Sequence, residues 1–215
     1  MKIVVIDYNA GNLASLLNSL KTVYLQSRKS VNIKVSNIPK EISNSDKIIL
    51  PGVGDFSNCK KQLEKIDGMT DALYEHTRHL FKPFLGICIG MQLMAKSSEE
   101  RGKHQGLGYF NAEVKKIEND KKHIIKIPHM GWNTVDLEDK KMIKTFTSLD
   151  KNDFYFVHSY QMVCKNNNDI LASVNYGKKI VAAIIKDNML GVQFHPEKSQ
   201  KKGLEFLKEF IEWKP

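Results

Sequence analysis

Cys88 stands in Gly86-Ile87-Cys88-Ile89-Gly90, where the apolar run Pro83-Phe84-Leu85 gives way to the helix-like Met91-Gln92-Leu93-Met94. A strand-to-helix turn tight enough to lift a side chain clear of a sheet brings backbones so close that residues without a Cβ are favoured, which accounts for both glycines. A thiol placed there sits at a helix N-terminus, whose unpaired N–H groups favour the thiolate, and the N–H of Ile89 is aimed where an oxyanion would form. The pentapeptide alone fits an inert buried cysteine equally well. A second segment, Gly191-Val192-Gln193-Phe194-His195-Pro196-Glu197-Lys198, supplies a base. The apolar stretch 189–194 reads as a strand that delivers His195 to a sheet edge, and Pro196 fixes the chain direction after it. Glu197, two residues on, can accept the proton of one ring nitrogen and leave the other facing a thiol. Taken singly, each is an ordinary core or surface residue; with the cysteine they form the set that acyl transfer through a thioester requires.

The elements that must position these residues alternate between strand and helix, the pattern of a mainly parallel sheet covered on both faces. A strand over 2–7 leads through Asn9-Ala10-Gly11-Asn12 into a helix over 13–26, with Leu13, Leu16, Leu17, Leu20, Val23 and Tyr24 at helical spacing. A strand at 31–36 and another at Lys47-Ile48-Ile49-Leu50 follow, the latter running into the turn Pro51-Gly52-Val53-Gly54. Helices over 56–65 and 69–80 precede the strand that carries Cys88. Beyond residue 108 the runs shorten to 109–117, 123–127, 154–158, 170–175, 180–186 and 190–194, which predicts a mixed or antiparallel extension. Tyr176-Gly177 and Asp187-Asn188 supply hairpin turns, and a helix over 200–212 closes the fold. With no repeat, linker or low-complexity segment, residues 1–215 read as a single α/β domain.

Composition suits a compact enzyme: 215 residues, 41% hydrophobic and 27% charged. No membrane span is visible, and the opening strand lacks the long apolar region of a signal peptide. Cys59, Cys88 and Cys164 have neither paired nor metal-ligand spacing, so a reducing cytoplasm is the expected location. The net charge of +9 is spread over lysine pairs such as Lys115-Lys116, Lys121-Lys122 and Lys178-Lys179. Without an aromatic-interleaved basic stripe or a recognition motif, that charge reads as a solvated surface and not a nucleic-acid site.

Gly86-Ile87-Cys88-Ile89-Gly90-Met91-Gln92 paired with His195-Pro196-Glu197 resembles the class I, triad-type glutamine amidotransferases. Asp7-Tyr8-Asn9-Ala10-Gly11-Asn12-Leu13, Leu50-Pro51-Gly52-Val53-Gly54, His129-Met130-Gly131-Trp132-Asn133 and Phe156-Val157-His158-Ser159-Tyr160 are similar to one branch of them, the glutaminase subunits of imidazole glycerol phosphate synthase. The resemblance runs from residue 7 to residue 198 and is thinnest around 115–126 and 136–152. Two departures, Asn9 in place of a glycine and Ile89 in place of a leucine, lie outside the triad. They leave open a related branch that supplies ammonia for aminated surface-glycan sugars. A stand-alone γ-glutamyl hydrolase and an oxidation-sensing protein are the readings outside amidotransfer.

The resemblance implies glutamine as substrate, hydrolysed to glutamate and ammonia by Cys88, His195 and Glu197 without metal or organic cofactor. It implies oxyanion donors from the N–H groups of Ile89 and Val53, the latter after Gly52 reorients its peptide. Recognition of the α-amino and α-carboxylate groups falls to Gln92, Ser159 and Tyr160. Ammonia would pass to a (β/α)8-barrel cyclase subunit in a heterodimer, with Asn12, Trp132, Tyr155 and Lys198 facing it. For Trp132 and Tyr155 core packing is an equal reading, and His158, with apolar flanks and no carboxylate two residues on, is left outside the catalytic set.

Overall fold

A computed structural model describes residues 1–25, 31–119 and 124–215. The chain alternates β1 (Lys2–Ile6), α1 (Leu13–Leu25), β2 (Asn32–Ser36), α2 (Pro39–Ser43), β3 (Lys47–Leu50), α3 (Phe56–Glu64), α4 (Met69–Tyr74), β4 (Phe84–Ile87) and α5 (Ile89–Leu93). There follow β5 (Ala95–Ser98), β6 (His104–Gln105), β7 (Phe110–Lys116), β8 (His129–Leu137), β9 (Asn152–His158), β10 (Tyr160–Cys164), β11 (Ile170–Tyr176), β12 (Lys178–Lys186), β13 (Met189–Val192) and α6 (Gln200–Glu212).

A nine-stranded sheet has the order β2-β1-β3-β4-β13-β12-β11-β8-β9. From β2 to β13 the pairings are parallel, and from β13 to β9 they are antiparallel. The expected α/β architecture, a parallel sheet with an antiparallel extension, is the one observed. β3, β4 and β13 are buried along their whole length, as near-continuous apolar strands between two helical layers must be. Outside that sheet β10-β7-β5-β6 form a second, mixed one. The chain crosses from one sheet to the other at Ser159, between β9 and β10.

Most expected elements are present with small shifts in their ends; residue 26 lies outside the described residues. The helix expected over 69–80 stops at Tyr74 and continues as a wider π-type turn, Glu75–His79. The expected strand 123–127 is absent over 124–127, while residue 123 and Lys121-Lys122 lie outside the described residues. The last strand ends at Val192, two residues before its predicted end: the Gln193 N–H still donates to Ala182 O of β12 at 2.8 Å, and the chain then crosses to β9, where the His195 N–H donates to Tyr155 O at 2.9 Å. α2, β5, β6, β8 and β10 were not expected at all. Both predicted hairpin turns are present, at Gly177 with φ +69° and at Asp187 with φ +53°.

Candidate active site

β4 ends where Cys88 takes φ 55° and ψ −111°, a strained conformation for a residue with a Cβ, and α5 begins at the next residue. Two ties hold the turn: the Cys88 N–H donates to Val192 O at 2.8 Å, and the Gln92 N–H donates to Cys88 O at 3.1 Å. A Cβ on Gly90 would lie 1.8 Å from Leu50 O, so only glycine allows α5 to start this close to β3. The elbow predicted from the two glycines is therefore formed.

β13 runs beside β4, and the chain beyond it brings His195 to the thiol. His195 Nδ1 bonds Glu197 Oε1 at 2.7 Å, with both side chains almost fully buried, and the imidazole and the Cys88 thiol line the same cavity. Burial alone would push the His195 pKa down. Its contacts with Cys88 and Glu197 outweigh that and carry it up to about 10, so the ring's protonated form is favoured between them.

A cavity of about 370 Å³ opens over these groups. Among its lining are Val53, Cys88, Ile89, Gln92, Ser159, Tyr160, His195 and Lys198, all singled out from the sequence. Glu197 lies behind His195, where it borders a much smaller void together with Asn12 and Gly52. Gln92 Nε2 donates to Tyr160 O at 3.1 Å and to Gln193 Oε1 at 2.9 Å, leaving Gln92 Oε1 buried without a partner. Among the described residues no group of three His, Cys, Asp or Glu side chains is placed to hold a metal ion.

The oxyanion region differs from its expected working form. The Ile89 N–H donates to Gly52 O at 3.4 Å, so the Gly52 carbonyl occupies the donor that an oxyanion would use. The peptides on either side are also tied, with Tyr8 OH donating to Pro51 O at 2.6 Å and Cys59 Sγ to Val53 O at 3.4 Å. A Cβ on Gly52 would come within 3 Å of Gly90 N, Tyr8 OH and Ile89 Cβ, so the loop is packed on the elbow with no room for a side chain.

The other candidates lie around the rim. Trp132 and Tyr155 pair across β8 and β9 and meet edge to face with ring centroids 6.1 Å apart. Trp132 is 48% exposed, which rules out the core-packing reading for it. Lys198 is exposed with Nζ 5.8 Å from the Tyr155 ring, and Asn12 is exposed where its Oδ1 accepts the Ser15 N–H at the start of α1.

Sequence reasoning missed two residues. Gln193 is fully buried and donates from Nε2 to Cys88 Sγ at 3.7 Å; the signal was a lone amide inside an apolar run, which burial obliges to find partners. Glu100 lines the cavity, with Oε2 accepting the Phe56 N–H at 2.8 Å and its pKa raised by burial. Nothing in its local sequence marks it.

Comparison with known proteins agrees with this geometry. Residues 4–213 match the model of the family "Glutamine amidotransferase class-I". The chain is 39% identical to "Imidazole glycerol phosphate synthase subunit HisH" of Rhodopseudomonas palustris over the whole of both chains. It is 42% identical to the protein of that name from Zymomonas mobilis, over 99% of this chain and 96% of the other. A crystal structure of a glutamine amidotransferase superposes with a TM-score of 0.68 at 17% identity, covering 97% of this chain and 98% of that one, a likeness of fold. With a formed elbow, a family match over nearly every residue and full-length relatives of that kind, the chain belongs to the class-I glutamine amidotransferases.

Proposed function

We propose that Cys88, His195 and Glu197 hydrolyse glutamine to glutamate and ammonia, the chain serving as a single-domain glutaminase subunit of imidazole glycerol phosphate synthase in histidine biosynthesis. The observation that carries the reading is the Cys88–His195–Glu197 alignment at the floor of a cavity large enough for one amino acid.

Glutamine enters with its side-chain amide over Cys88. The α-amino group meets the unpartnered Gln92 Oε1 and the carboxylate of Glu100, and the α-carboxylate lies along the Ser159-Tyr160 segment. The Cys88 thiolate attacks the amide carbon. The resulting oxyanion takes the Ile89 N–H once the Gly52 carbonyl releases it, and rotation of the Gly52–Val53 peptide adds the Val53 N–H, each donor worth roughly 3–4 kcal/mol. His195 gives its Nε2 proton to the leaving ammonia. It then takes a proton from the water that opens the γ-glutamyl thioester, while Glu197 holds the ring by Nδ1 and balances its charge.

The closed oxyanion region gives a reason for a partner. While Gly52 O fills the site, turnover is slow, and a subunit that moves the loop on docking would couple hydrolysis to an acceptor. Free ammonia is almost wholly protonated at neutral pH and useless as a nucleophile, so transfer inside a complex is also what the chemistry asks for. The partner is a (β/α)8-barrel cyclase subunit in a heterodimer, seated on Asn12, Trp132, Tyr155 and Lys198 around the cavity mouth. The relatives' names favour this branch over a glycan-pathway one. The place of action is the cytoplasm; among the described residues no helix is long and apolar enough to cross a membrane.

Glutamine hydrolysis by the purified chain, alone and with the cyclase subunit of the same genome, tests the reading alongside Cys88→Ala. Strong stimulation, reduced at least about 10⁴-fold by the substitution, is expected. Turnover that ignores the cyclase but needs Cys88 would move the protein to a stand-alone hydrolase.

A further inference from the structure

His158, set aside in the sequence, occupies a position that the triad does not explain. It ends β9, and its Nδ1 bonds Tyr160 O at 2.8 Å, across the residue where the chain leaves the large sheet for the small one. Tyr160 O is the same oxygen that accepts from Gln92 Nε2, so one carbonyl anchors both groups. On its other side His158 Nε2 bonds His129 Nδ1 at 3.0 Å, and His129 Nε2 lies 3.4 Å from Asn133 Nδ2. His129 is itself clamped between Phe156 and Tyr176, at centroid distances of 4.7 and 4.0 Å.

The polarity of this chain follows from its ends. The amide nitrogen of Asn133 is fixed as donor because Asn133 Oδ1 accepts the Thr134 N–H, and a carbonyl can only accept. His129 therefore accepts at Nε2 and donates from Nδ1, and His158 accepts at Nε2 and donates from Nδ1 to Tyr160 O. Both rings must be uncharged for this, and burial pushes their pKa values down to about 4 and about 3. From Tyr160 O the bonds continue through Gln92 and Gln193 to Cys88 Sγ. The strand pair β8–β9 holds His129, Asn133 and His158 on one face and Trp132 and Tyr155 on the other.

We propose that His158 and His129 are positioning residues for the substrate: they fix the Tyr160 carbonyl, through it orient the Gln92 amide with Oε1 free for glutamine, and tie that orientation to the β8–β9 ribbon that carries Trp132 and Tyr155. The inference rests on the cavity being the glutamine site. It assigns the pair no proton transfer and no contact with the reacting atoms. Loss of the Nδ1 donor leaves Tyr160 O with Gln92 as its side-chain donor among the described residues and lets the sheet crossing relax, which weakens recognition of glutamine more than reactivity of the thiol.

The test is inactivation of the full chain by a diazoketone analogue of glutamine, which needs recognition, beside alkylation of Cys88 by iodoacetamide, which does not. His158→Phe is expected to raise the half-saturating analogue concentration about tenfold while leaving the iodoacetamide rate within about twofold. His158→Asn, whose amide keeps a donor near the Nδ1 position, is expected to recover most of that loss. His129→Phe, which keeps the ring stack and removes only the link to the ribbon, is expected to cost about threefold. Wild-type saturation by both His158 variants overturns the inference, as does an equal loss in both reactions, which would mean general damage to the elbow. If His158→Phe does not fold, the contrast between His158→Asn and His129→Phe decides, and a larger loss in His158→Asn refutes the role of the Nδ1 donor. Failure of the analogue to inactivate the wild-type chain while iodoacetamide still does overturns the glutamine site itself.

Discussion

Two buried histidines line one cavity, and each bonds through Nδ1 to a group two residues further along the chain. His195 reaches Glu197 Oε1 at 2.7 Å and His158 reaches Tyr160 O at 2.8 Å. The local geometry is nearly the same, yet one pKa is carried up to about 10 and the other down to about 3. Burial pushes both down. Glu197 and Cys88 overcome it for His195, whereas for His158 a neutral carbonyl cannot, and the charge of His195 adds to the depression. A histidine with a partner at i+2 is thus not a base by geometry. The charge of the partner decides between an acid–base group and a fixed strut.

The widest separation between the two comes from removing that charge. Glu197→Gln keeps the size of the side chain and is expected to lower kcat for glutamine about 10²–10⁴-fold, because the amide can donate to Nδ1 and hold the wrong tautomer. The His195 pKa, followed by NMR, should fall toward the ordinary histidine value, while KM for glutamine stays within a few-fold because Gln92 and Glu100 in the cavity lining are untouched. Activity within tenfold of wild type would show that the carboxylate does not orient the base.

The same contrast bounds stability from two sides. His195, raised in the folded state, contributes stability that is complete below about pH 6.5 and is lost as the pH rises through about 10. His76, His129 and His158 are depressed by burial, so the unfolded chain binds protons that the folded chain refuses. Their contribution is present above about pH 6.5 and is lost as the pH falls toward 4 and 3. Thermal unfolding followed against pH should therefore show a steep acid limb. His129→Phe should flatten it by a few kcal/mol, since each tenfold difference in proton affinity between the folded and unfolded chain is worth about 1.4 kcal/mol, and Glu197→Gln should flatten only the alkaline side. An acid limb unchanged in His129→Phe would mean that His129 titrates normally.

How legible each histidine was follows from the same physics. That Cys88, His195 and Glu197 would meet could be read because glycines beside a cysteine and a carboxylate beside a histidine leave marks within a few residues. The parallel half of the sheet was readable for a similar reason: β1, β3 and β4 are short, nearly uninterrupted apolar runs between turn residues. β8 was not, because its inner face carries His129, Gly131 and Asn133, polar or small groups that hide the alternation. β10 was missed because only Ser159 separates it from β9, with no turn residue to announce a change of sheet. The roles of Gln193 and Tyr160 O depend on contacts between distant segments, such as Gln92 to Gln193 across 101 residues, and no local pattern encodes those. That Gly52 must turn its peptide was implied by the resemblance, but the bond that holds it closed, Ile89 N–H to Gly52 O, joins segments far apart in the chain.

The two histidines are also joined, and the joint gives the mildest of these perturbations. The Tyr155 N–H of β9 donates to Ser199 Oγ at 3.0 Å, and that hydroxyl donates in turn to His195 O at 2.6 Å, so one buried hydroxyl links the strand of His158 to the residue that bears the base. The His195 N–H to Tyr155 O bond runs beside it. Ser199→Ala leaves that backbone bond in place, and the Lys198 N–H still donates to His195 O at 3.0 Å, but the Tyr155 N–H loses its hydroxyl partner, and a buried polar group left unpaired costs about 1–3 kcal/mol. Global stability should fall by that amount while kcat drops only a few-fold, because Glu197 still holds the ring. The His195 pKa should stay high, since neither of the groups that raise it has been touched. If Ser199→Ala instead lowers kcat as far as Glu197→Gln does, the backbone joint and not the carboxylate sets the position of the base, and the comparison between the two histidines would have to be redrawn around β9.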